Sequence, residues 1–252
     1  MTEIYDISYT GMGIERNLLD LYLPDGECSG VFVYFHGGGI EKGSKNGESR
    51  RKYAEYLCPR GIAVACANYR LYPDAKYPEF IEDAAAAVAY VKRYCEKKYG
   101  SVKLYVGGSS AGGYLSMMLC YDPKYLGAHG IAPTDIAEYI HDAGQPTTHF
   151  NVCRERGLAT NRCIVDEAAP IYHVGLAAEY APQLFIVADN DMPARYEQTM
   201  LMIATLRHCG YDMDKVTLRV MEGYKHTGYS SICDESGDSI LAKMIYEYVS
   251  KL

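Results

Sequence analysis

The stretch YVGGSSAGGYL, Tyr105 to Leu115, sets two adjacent serines among four glycines. It follows the strand-like run VKLYVGG and opens the helix-like run AGGYLSMMLCY. Glycine-rich turns in this position cradle a phosphate group or present a nucleophilic hydroxyl. The turn matches neither the phosphate-loop pattern G-x-x-x-x-G-K-[ST] nor the dinucleotide pattern G-x-G-x-x-G. It therefore predicts a nucleophile elbow.

The spacing of the glycines bears on which serine is the nucleophile. A sharp elbow requires small residues two positions before and two positions after the nucleophile. For Ser110 these are Gly108 and Gly112, whereas for Ser109 one of the two is Ala111. The pattern favours Ser110 and leaves Ser109 open.

Composition excludes several classes of function. The 252 residues, 48% hydrophobic and 23% charged, suffice for one large core, so we expect a single domain over residues 1–252. A net charge of −7 argues against nucleic acid or an anionic membrane surface as a partner. No apolar run approaches the roughly 18 residues of a membrane helix.

The N-terminus and the cysteines indicate a compartment. MTEIYDISYT lacks the basic and apolar regions of a signal peptide. The nine cysteines show no CxxC pair, which favours buried thiols in a reducing environment. We expect a cytoplasmic protein. The sequence leaves open whether it is a homo-oligomer.

Strand-like and helix-like segments alternate along the chain, which predicts an α/β fold. Its central sheet should be mostly parallel, with helices on both faces. The segment from Asp122 to about His173 is rich in Pro, Gly and His and shows no strong strand. We expect it to form a small lid-like insertion (about 122–173) over the carboxyl edge of the sheet, where such folds bind ligands.

A second glycine cluster, FHGGGIEKG (Phe35 to Gly43), follows an earlier strand. Consecutive glycines allow backbone N–H groups to approach a ligand oxygen without obstruction. This composition is typical of an oxyanion hole, which stabilises the negative charge of a tetrahedral intermediate.

An acid and a histidine follow the last two predicted strands in that order. FIVADNDMP places Asp189 and Asp191 after one strand, and MEGYKHTGY places His226 after the next. A serine nucleophile needs a base, and the base needs a carboxylate to hold its tautomer. This ordered combination distinguishes His226 from the other histidines of the chain.

Together these motifs resemble the α/β-hydrolase superfamily. The resemblance is to its esterase branch, which includes the hormone-sensitive-lipase-like esterases, bacterial feruloyl and acetyl esterases and kynurenine formamidase relatives. It runs from LLDLYLP through HGGG, YRL and GGSSAGG to the Asp and His loops. The elbow of that branch commonly reads G-D-S-A-G-G. This implies that Ser110 is the nucleophile and that Ser109 takes a place often held by Asp.

The resemblance also implies the remaining site residues. The backbone amides of Gly37, Gly38 and Ala111 would form the oxyanion hole. The acid of the family lies three residues beyond the small residue that matches Ala188, which selects Asp191 over Asp189.

A small lid would replace the larger N-terminal cap of the family. Only about 30 residues precede the HGGG strand, and the segment HDAGQPTTHFNVCRERG stands in place of a cap. This lid would offer His149, Phe150 and Arg154 as candidate substrate contacts.

These observations predict a serine hydrolase that cleaves esters of small or planar acyl groups, of acetyl or feruloyl type. A sugar is one candidate for the alcohol half of the ester. The expected partner is a small-molecule ester, and no metal or organic cofactor is expected. Amidase, formamidase or peptidase activity on the same triad is the alternative among enzymes. A catalytically inactive hydrolase used for binding is the alternative outside enzymes.

Overall fold

Eight strands form one mixed sheet in the described part of the chain. The computed structural model describes residues 1–251, with the backbone alone at Glu48. In chain order the strands are β1 (Thr2–Ser8), β2 (Leu18–Leu23), β3 (Gly30–Phe35), β4 (Ile62–Ala67), β5 (Lys103–Ser109), β6 (Glu138–Asp142), β7 (Gln183–Asn190) and β8 (Val216–Lys225).

The spatial order of the strands is β1-β2-β4-β3-β5-β6-β7-β8. β1 pairs antiparallel with β2 and β2 antiparallel with β4, whereas the pairs from β4 and β3 through to β7 and β8 are parallel. Six parallel strands, β3 to β8, thus deliver their carboxyl ends to the same edge. The prediction of a mostly parallel sheet is confirmed.

Helices cover both faces of this sheet. They are α1 (Glu48–Leu57), α2 (Glu79–Tyr99), α3 (Ala111–Tyr121), α4 (Pro123–Gly127), α5 (Phe150–Glu155), α6 (Arg195–His208) and α7 (Ile240–Val249). The core side chains of α2, α3 and α6 join one hydrophobic cluster, and those of α1 and α7 join the other. Helices on both faces were predicted, and this too is confirmed.

β3 shows why the sheet needs two covers. All six of its residues, GVFVYF, are buried. Because successive side chains of a strand point to opposite faces, Val31, Val33 and Phe35 enter one core, and Phe32 and Tyr34 enter the other. A continuous apolar run of this kind is typical of a parallel strand covered on both sides.

The expectation of no strong strand between Asp122 and His173 is wrong. β6 lies in the centre of the sheet, between β5 and β7, and all five of its residues are buried. Its sequence EYIHD carries two acidic side chains and a histidine, a composition untypical of a central strand. Only the residues after Asp142, α5 among them, remain available for the predicted lid.

Two further sequence features can be placed. All nine cysteines are free, and Cys163, Cys209 and Cys233 are exposed rather than buried. Among residues 1–251, none of the helices combines the length and apolar character that crossing a bilayer requires.

Candidate active site

Ser110 occupies the sharp turn between β5 and α3. Its backbone angles are φ 56° and ψ −112°, a region that non-glycine residues rarely adopt. The turn is held on both sides, since the Ser110 amide donates to the Asp142 carbonyl at 2.7 Å and its own carbonyl accepts from the Tyr114 amide at 3.0 Å. The strained backbone places the hydroxyl in a surface cleft.

The glycines around Ser110 are required by close backbone packing. A Cβ atom on Gly108 would lie 2.4 Å from the Phe35 carbonyl oxygen, and one on Gly112 would lie 2.0 Å from the same atom. Both distances are far below van der Waals contact. The elbow therefore packs directly on the end of β3, which explains the small residues two positions before and after Ser110.

His226 links Ser110 to Asp191. Its Nε2 lies 2.8 Å from Ser110 Oγ, and its Nδ1 lies 2.5 Å from Asp191 Oδ1. The pairing of Asn190 with Lys225 at the ends of β7 and β8 sets the acid and the histidine side by side. A neutral ring that donates from Nδ1 to Asp191 leaves Nε2 free to accept the Ser110 proton.

Asp191, rather than Asp189, faces the histidine. The Asp191 side chain is fully buried and also accepts from the Met192 amide at 2.7 Å. Burial opposes its negative charge, but the hydrogen bond and charge of His226 outweigh burial and hold the pKa of Asp191 below its ordinary value. Asp189 is exposed and accepts from the Gly223 amide at 2.9 Å instead.

The glycine loop after β3 lies against Ser110. A Cβ atom on Gly37 would lie 3.2 Å from Ser110 Cβ, and Gly38 adopts a positive φ of 115°. Ala111 is the first residue of α3, so its amide has no acceptor within the helix. In the described structure, no loop carbonyl takes up the amides of Gly37, Gly38 or Ala111. The backbone of the described structure therefore leaves these three amides without an acceptor.

His36 fixes this glycine loop from behind. It is fully buried, and burial lowers its pKa to about 3, so the ring is neutral. Because Arg16 donates to Nε2 at 3.1 Å, the proton sits on Nδ1 and is donated to the Gly37 carbonyl at 2.7 Å. The orientation of the Gly37 peptide is therefore set by a buried side chain.

Sequence reasoning missed a second network, which we call the buried carboxylate network: Ser109, Asp142, Tyr34 and Tyr229. Ser109 Oγ and the Tyr229 hydroxyl both donate to the Asp142 carboxylate. The Tyr34 hydroxyl donates to Ser109 Oγ at 3.0 Å. Burial raises the pKa of Asp142 to about 6, against the two donated hydrogen bonds. The sequence signal for this network was Asp142, which follows YIH in a segment where no strand was predicted.

The cleft around Ser110 has a volume of about 600 Å³. The start of α5 closes one side, because Phe150 packs on Gly39 and Asn151 Nδ2 donates to the Gly39 carbonyl at 2.7 Å. An ion pair between Arg154 and Glu41 adds a second link from α5 to the glycine loop. Of the predicted substrate contacts, the structure brings Phe150 to the cleft.

His149 is not brought to the cleft, contrary to its prediction as a substrate contact. It is 1% exposed and does not belong to the cleft lining. Its ring packs 4.3 Å from that of Phe150 and 5.1 Å from that of Tyr114, measured between centroids. Its Nδ1 accepts from the Asn151 amide, and burial holds its pKa well below the ordinary value. The His149 ring is buried and packs against the Phe150 ring, so it supports Phe150 from the core side.

No cluster of three or more His, Cys, Asp or Glu side chains suited to a metal ion occurs among residues 1–251. The chemistry available from the site's own groups is a hydroxyl, an imidazole and a carboxylate in one hydrogen-bonded line, beside three free amides.

The family model BD-FAE matches residues 19–128, from β2 to the end of α4. The carboxylic ester hydrolase LipN of Mycobacterium tuberculosis is 27% identical over 163 residues, which cover 63% of this chain and 42% of LipN. The gibberellin receptor GID1C of Arabidopsis thaliana is 33% identical over 110 residues, covering 40% of this chain and 31% of the receptor. The chain thus spans less than half the length of either relative.

A propionate-bound esterase, Est2 of Thermogutta terrifontis, shares the fold over almost all of both chains. The TM-score is 0.75 at 20% sequence identity, with 98% of this chain and 93% of that chain covered. The strand order, the elbow and these relatives agree with the resemblance seen in the sequence motifs. Over part of its length the chain is similar to esterases of the α/β-hydrolase superfamily, and over almost its whole length it shares the fold of a solved esterase.

Proposed function

We propose that the protein is a carboxylesterase-type serine hydrolase that works through an acyl-enzyme. The observation that carries this proposal is the unbroken line from Ser110 Oγ through His226 to Asp191, with distances of 2.8 and 2.5 Å. Each distance is that of a hydrogen bond. Nucleophile, base and orienting carboxylate are therefore already in register for proton transfer.

The reaction follows from this geometry in two halves. Ser110 Oγ attacks the ester carbonyl carbon while its proton passes to His226 Nε2, and the carbonyl oxygen becomes an oxyanion held by the amides of Gly37, Gly38 and Ala111. Collapse of this intermediate breaks the bond to the leaving alkoxide, which takes the proton from His226. Water then repeats the sequence on the acyl-enzyme and releases the acid.

The cleft suits a small or planar acyl group. Its larger apolar side chains are Tyr34, Phe150 and Met192, beside several glycines. The neighbouring cavity, about 450 Å³ and bordered by Phe150 and Met192, mixes apolar surface with polar and charged side chains: Gln145, Arg154, Thr160, Asn161, Arg162, Arg195 and Gln198. Each buried methylene of an acyl chain is worth about 0.8 kcal/mol only where apolar surface receives it. The propionate bound to the structurally similar Est2 supports a short acyl group.

Two alternatives share this scaffold. An amidase, formamidase or peptidase would use the same line of groups, and its substrates differ only in the leaving group. A binding role has a parallel in GID1C, which is a gibberellin receptor. The intact hydrogen-bonded line favours catalysis, because a protein that only binds has no need for a nucleophile aligned with its base.

A panel of 4-nitrophenyl esters from acetate to laurate tests the proposal, beside acetylated and feruloylated sugars and the matching 4-nitroanilides. We expect ester hydrolysis, with kcat/KM highest for acyl chains of about two to four carbons and falling beyond about eight. Faster cleavage of the anilides would favour the amidase alternative. Absence of turnover on every ester and amide would contradict the enzyme proposal.

A further inference from the structure

The cleft around Ser110 carries positive charge in a protein that is acidic as a whole. The chain has 25 basic and 32 acidic residues. Yet Arg50 and Lys42 both line the cleft, and the one carboxylate that lines it among the described side chains, Glu41, is engaged by Arg154. The charge that faces the substrate is therefore opposite in sign to that of the molecule.

Arg50 has no carboxylate partner among the described residues. Its Nη1 donates to Ser49 Oγ at 2.9 Å, and its Nε is shielded from solvent with no hydrogen-bond partner. A guanidinium has five N–H donors, and a donor left unpaired away from water costs free energy. Arg51, the next residue, differs: it pairs with Glu3 at 2.9 Å and with Glu55 at 3.1 Å.

The local helix does not explain Arg50 either. It lies in the first turn of α1, where the helix dipole favours negative side chains and disfavours positive ones. The stacking that the structure gives it is loose, with Cζ 5.9 Å from the centre of the Tyr34 ring. Neither folding nor helix electrostatics accounts for an unpaired arginine here, which points to a ligand.

Tyr34 connects Arg50 to the reacting end of the cleft. The Tyr34 hydroxyl donates to Ser109 Oγ, next to Ser110 in the chain. All four residues border the same cavity of about 600 Å³. A small ester held at Ser110 can therefore extend a second group toward Arg50.

We propose that the substrate carries a carboxylate, which Arg50 binds and Lys42 helps to attract. This inference rests on the proposed esterase function and names its substrate class: an ester with a carboxylate on its acyl or its alcohol half. The planar guanidinium matches a carboxylate with two parallel hydrogen bonds, a geometry that an ammonium group does not provide. Lys42, exposed and without an ion pair in the described structure, contributes through longer-range attraction.

The test compares matched anionic and neutral esters. 4-Nitrophenyl hemiglutarate against 4-nitrophenyl valerate places the carboxylate on the acyl half, and 3-acetoxybenzoate against phenyl acetate places it on the alcohol half. We expect a kcat/KM ratio of anionic to neutral ester of about 10 or more for one pair, expressed mainly in KM. The pair that shows the preference identifies the half that bears the charge.

Arg50→Gln should reduce that ratio about tenfold or more, with Arg50→Lys in between. Arg51→Gln, one position along the same helix, is the matched control and should keep the wild-type ratio. A ratio near one for both pairs in the wild-type protein, with neutral esters turned over, would overturn the substrate class and leave the esterase proposal standing. An unchanged ratio in Arg50→Gln would overturn the role of Arg50.

A binding arm keeps the inference testable if no ester is cleaved. Glutarate is titrated into wild-type protein, Arg50→Gln and Arg51→Gln and followed by ligand-observed NMR. Saturable binding that is lost only in Arg50→Gln supports the carboxylate site without reference to turnover. Absence of binding to the wild-type protein, or equal binding to all three, contradicts it.

Discussion

Ser109 and Ser110 are neighbours in the chain, but their hydroxyls enter two different networks. Ser110 bonds to His226 in the cleft, and His226 bonds to Asp191. Ser109 donates to the buried Asp142 and accepts from Tyr34. Ser110 therefore faces an imidazole that can take its proton in the cleft, whereas Ser109 faces a carboxylate that is buried in the core.

The two carboxylates differ in the same way. The pKa of Asp191 is held low by His226, so this group stays charged and can stabilise an imidazolium. The pKa of Asp142 is raised to about 6 by burial. Asp191 thus orients the base through its side chain. Asp142 holds the elbow instead: its backbone carbonyl accepts from the Ser110 amide, and its carboxylate accepts from Ser109 Oγ.

The largest expected effect separates the two serines. Ser110→Ala should lower kcat for the best 4-nitrophenyl ester by about 10⁴-fold or more, because nucleophile and base act as a unit. Ser109→Ala should lower it by less than about tenfold, because Ser109 only positions the turn. Steady-state kinetics on both purified variants checks this. Comparable losses would remove the distinction between the two networks.

The next effect separates the acids that follow β7. Asp191→Asn should cost about 10³- to 10⁴-fold in kcat, because the amide favours the wrong imidazole tautomer. Asp189→Asn should stay within a few-fold of the wild type, because its side chain faces the Gly223 amide and not His226. A larger loss at Asp189 would transfer the orienting role to that residue.

The buried carboxylate network should appear in the pH dependence of stability. Because the folded-state pKa of Asp142, about 6, exceeds the ordinary value of 3.8, the stability contributed by its protonated form is complete below pH 4 and lost as the pH rises through 6. This difference corresponds to about 3 kcal/mol. The free energy of unfolding of the wild type, relative to Asp142→Asn, should therefore fall by about that amount between pH 4 and 7.

Urea unfolding at several pH values measures this difference. Tyr229→Phe is the companion variant, since it keeps the carboxyl group and removes one donor to its charged form. It should shift the fall in stability to higher pH. A difference between wild type and Asp142→Asn that stays constant from pH 4 to 7 would contradict the assignment of a raised pKa.

Sequence reasoning reached the residues whose position follows from local pattern. Ser110, Asp191 and His226 each come directly after a predicted strand, so strand prediction places them at one edge of a parallel sheet, and the family resemblance selected Ser110 over Ser109 and Asp191 over Asp189. The glycines at 108 and 112 were readable for the same reason, because the turn that needs them is local. The contacts among Ser110, Asp191 and His226 follow from the order of the strands in the sheet. The order of the three motifs along the chain already indicated that arrangement.

The rest depended on contacts between distant segments. β6 is buried although it carries two acidic side chains and a histidine. It lies in the centre of the sheet, and partners such as Ser109 and Tyr229 satisfy its Asp142. No window of sequence around EYIHD contains those partners. His149 was misplaced for a similar reason: its burial depends on the Tyr114 ring of α3, 35 positions earlier.

Labelling with a fluorophosphonate probe, mapped by peptide mass spectrometry, tests the central claim most directly. The reagent forms a covalent bond only with a serine whose proton is removed by an aligned base. We predict one adduct on the peptide that contains both serines, fragmenting to Ser110, retained in Ser109→Ala and abolished in Ser110→Ala and His226→Ala. An adduct on Ser109, or full labelling of the Ser110→Ala protein, would contradict the account.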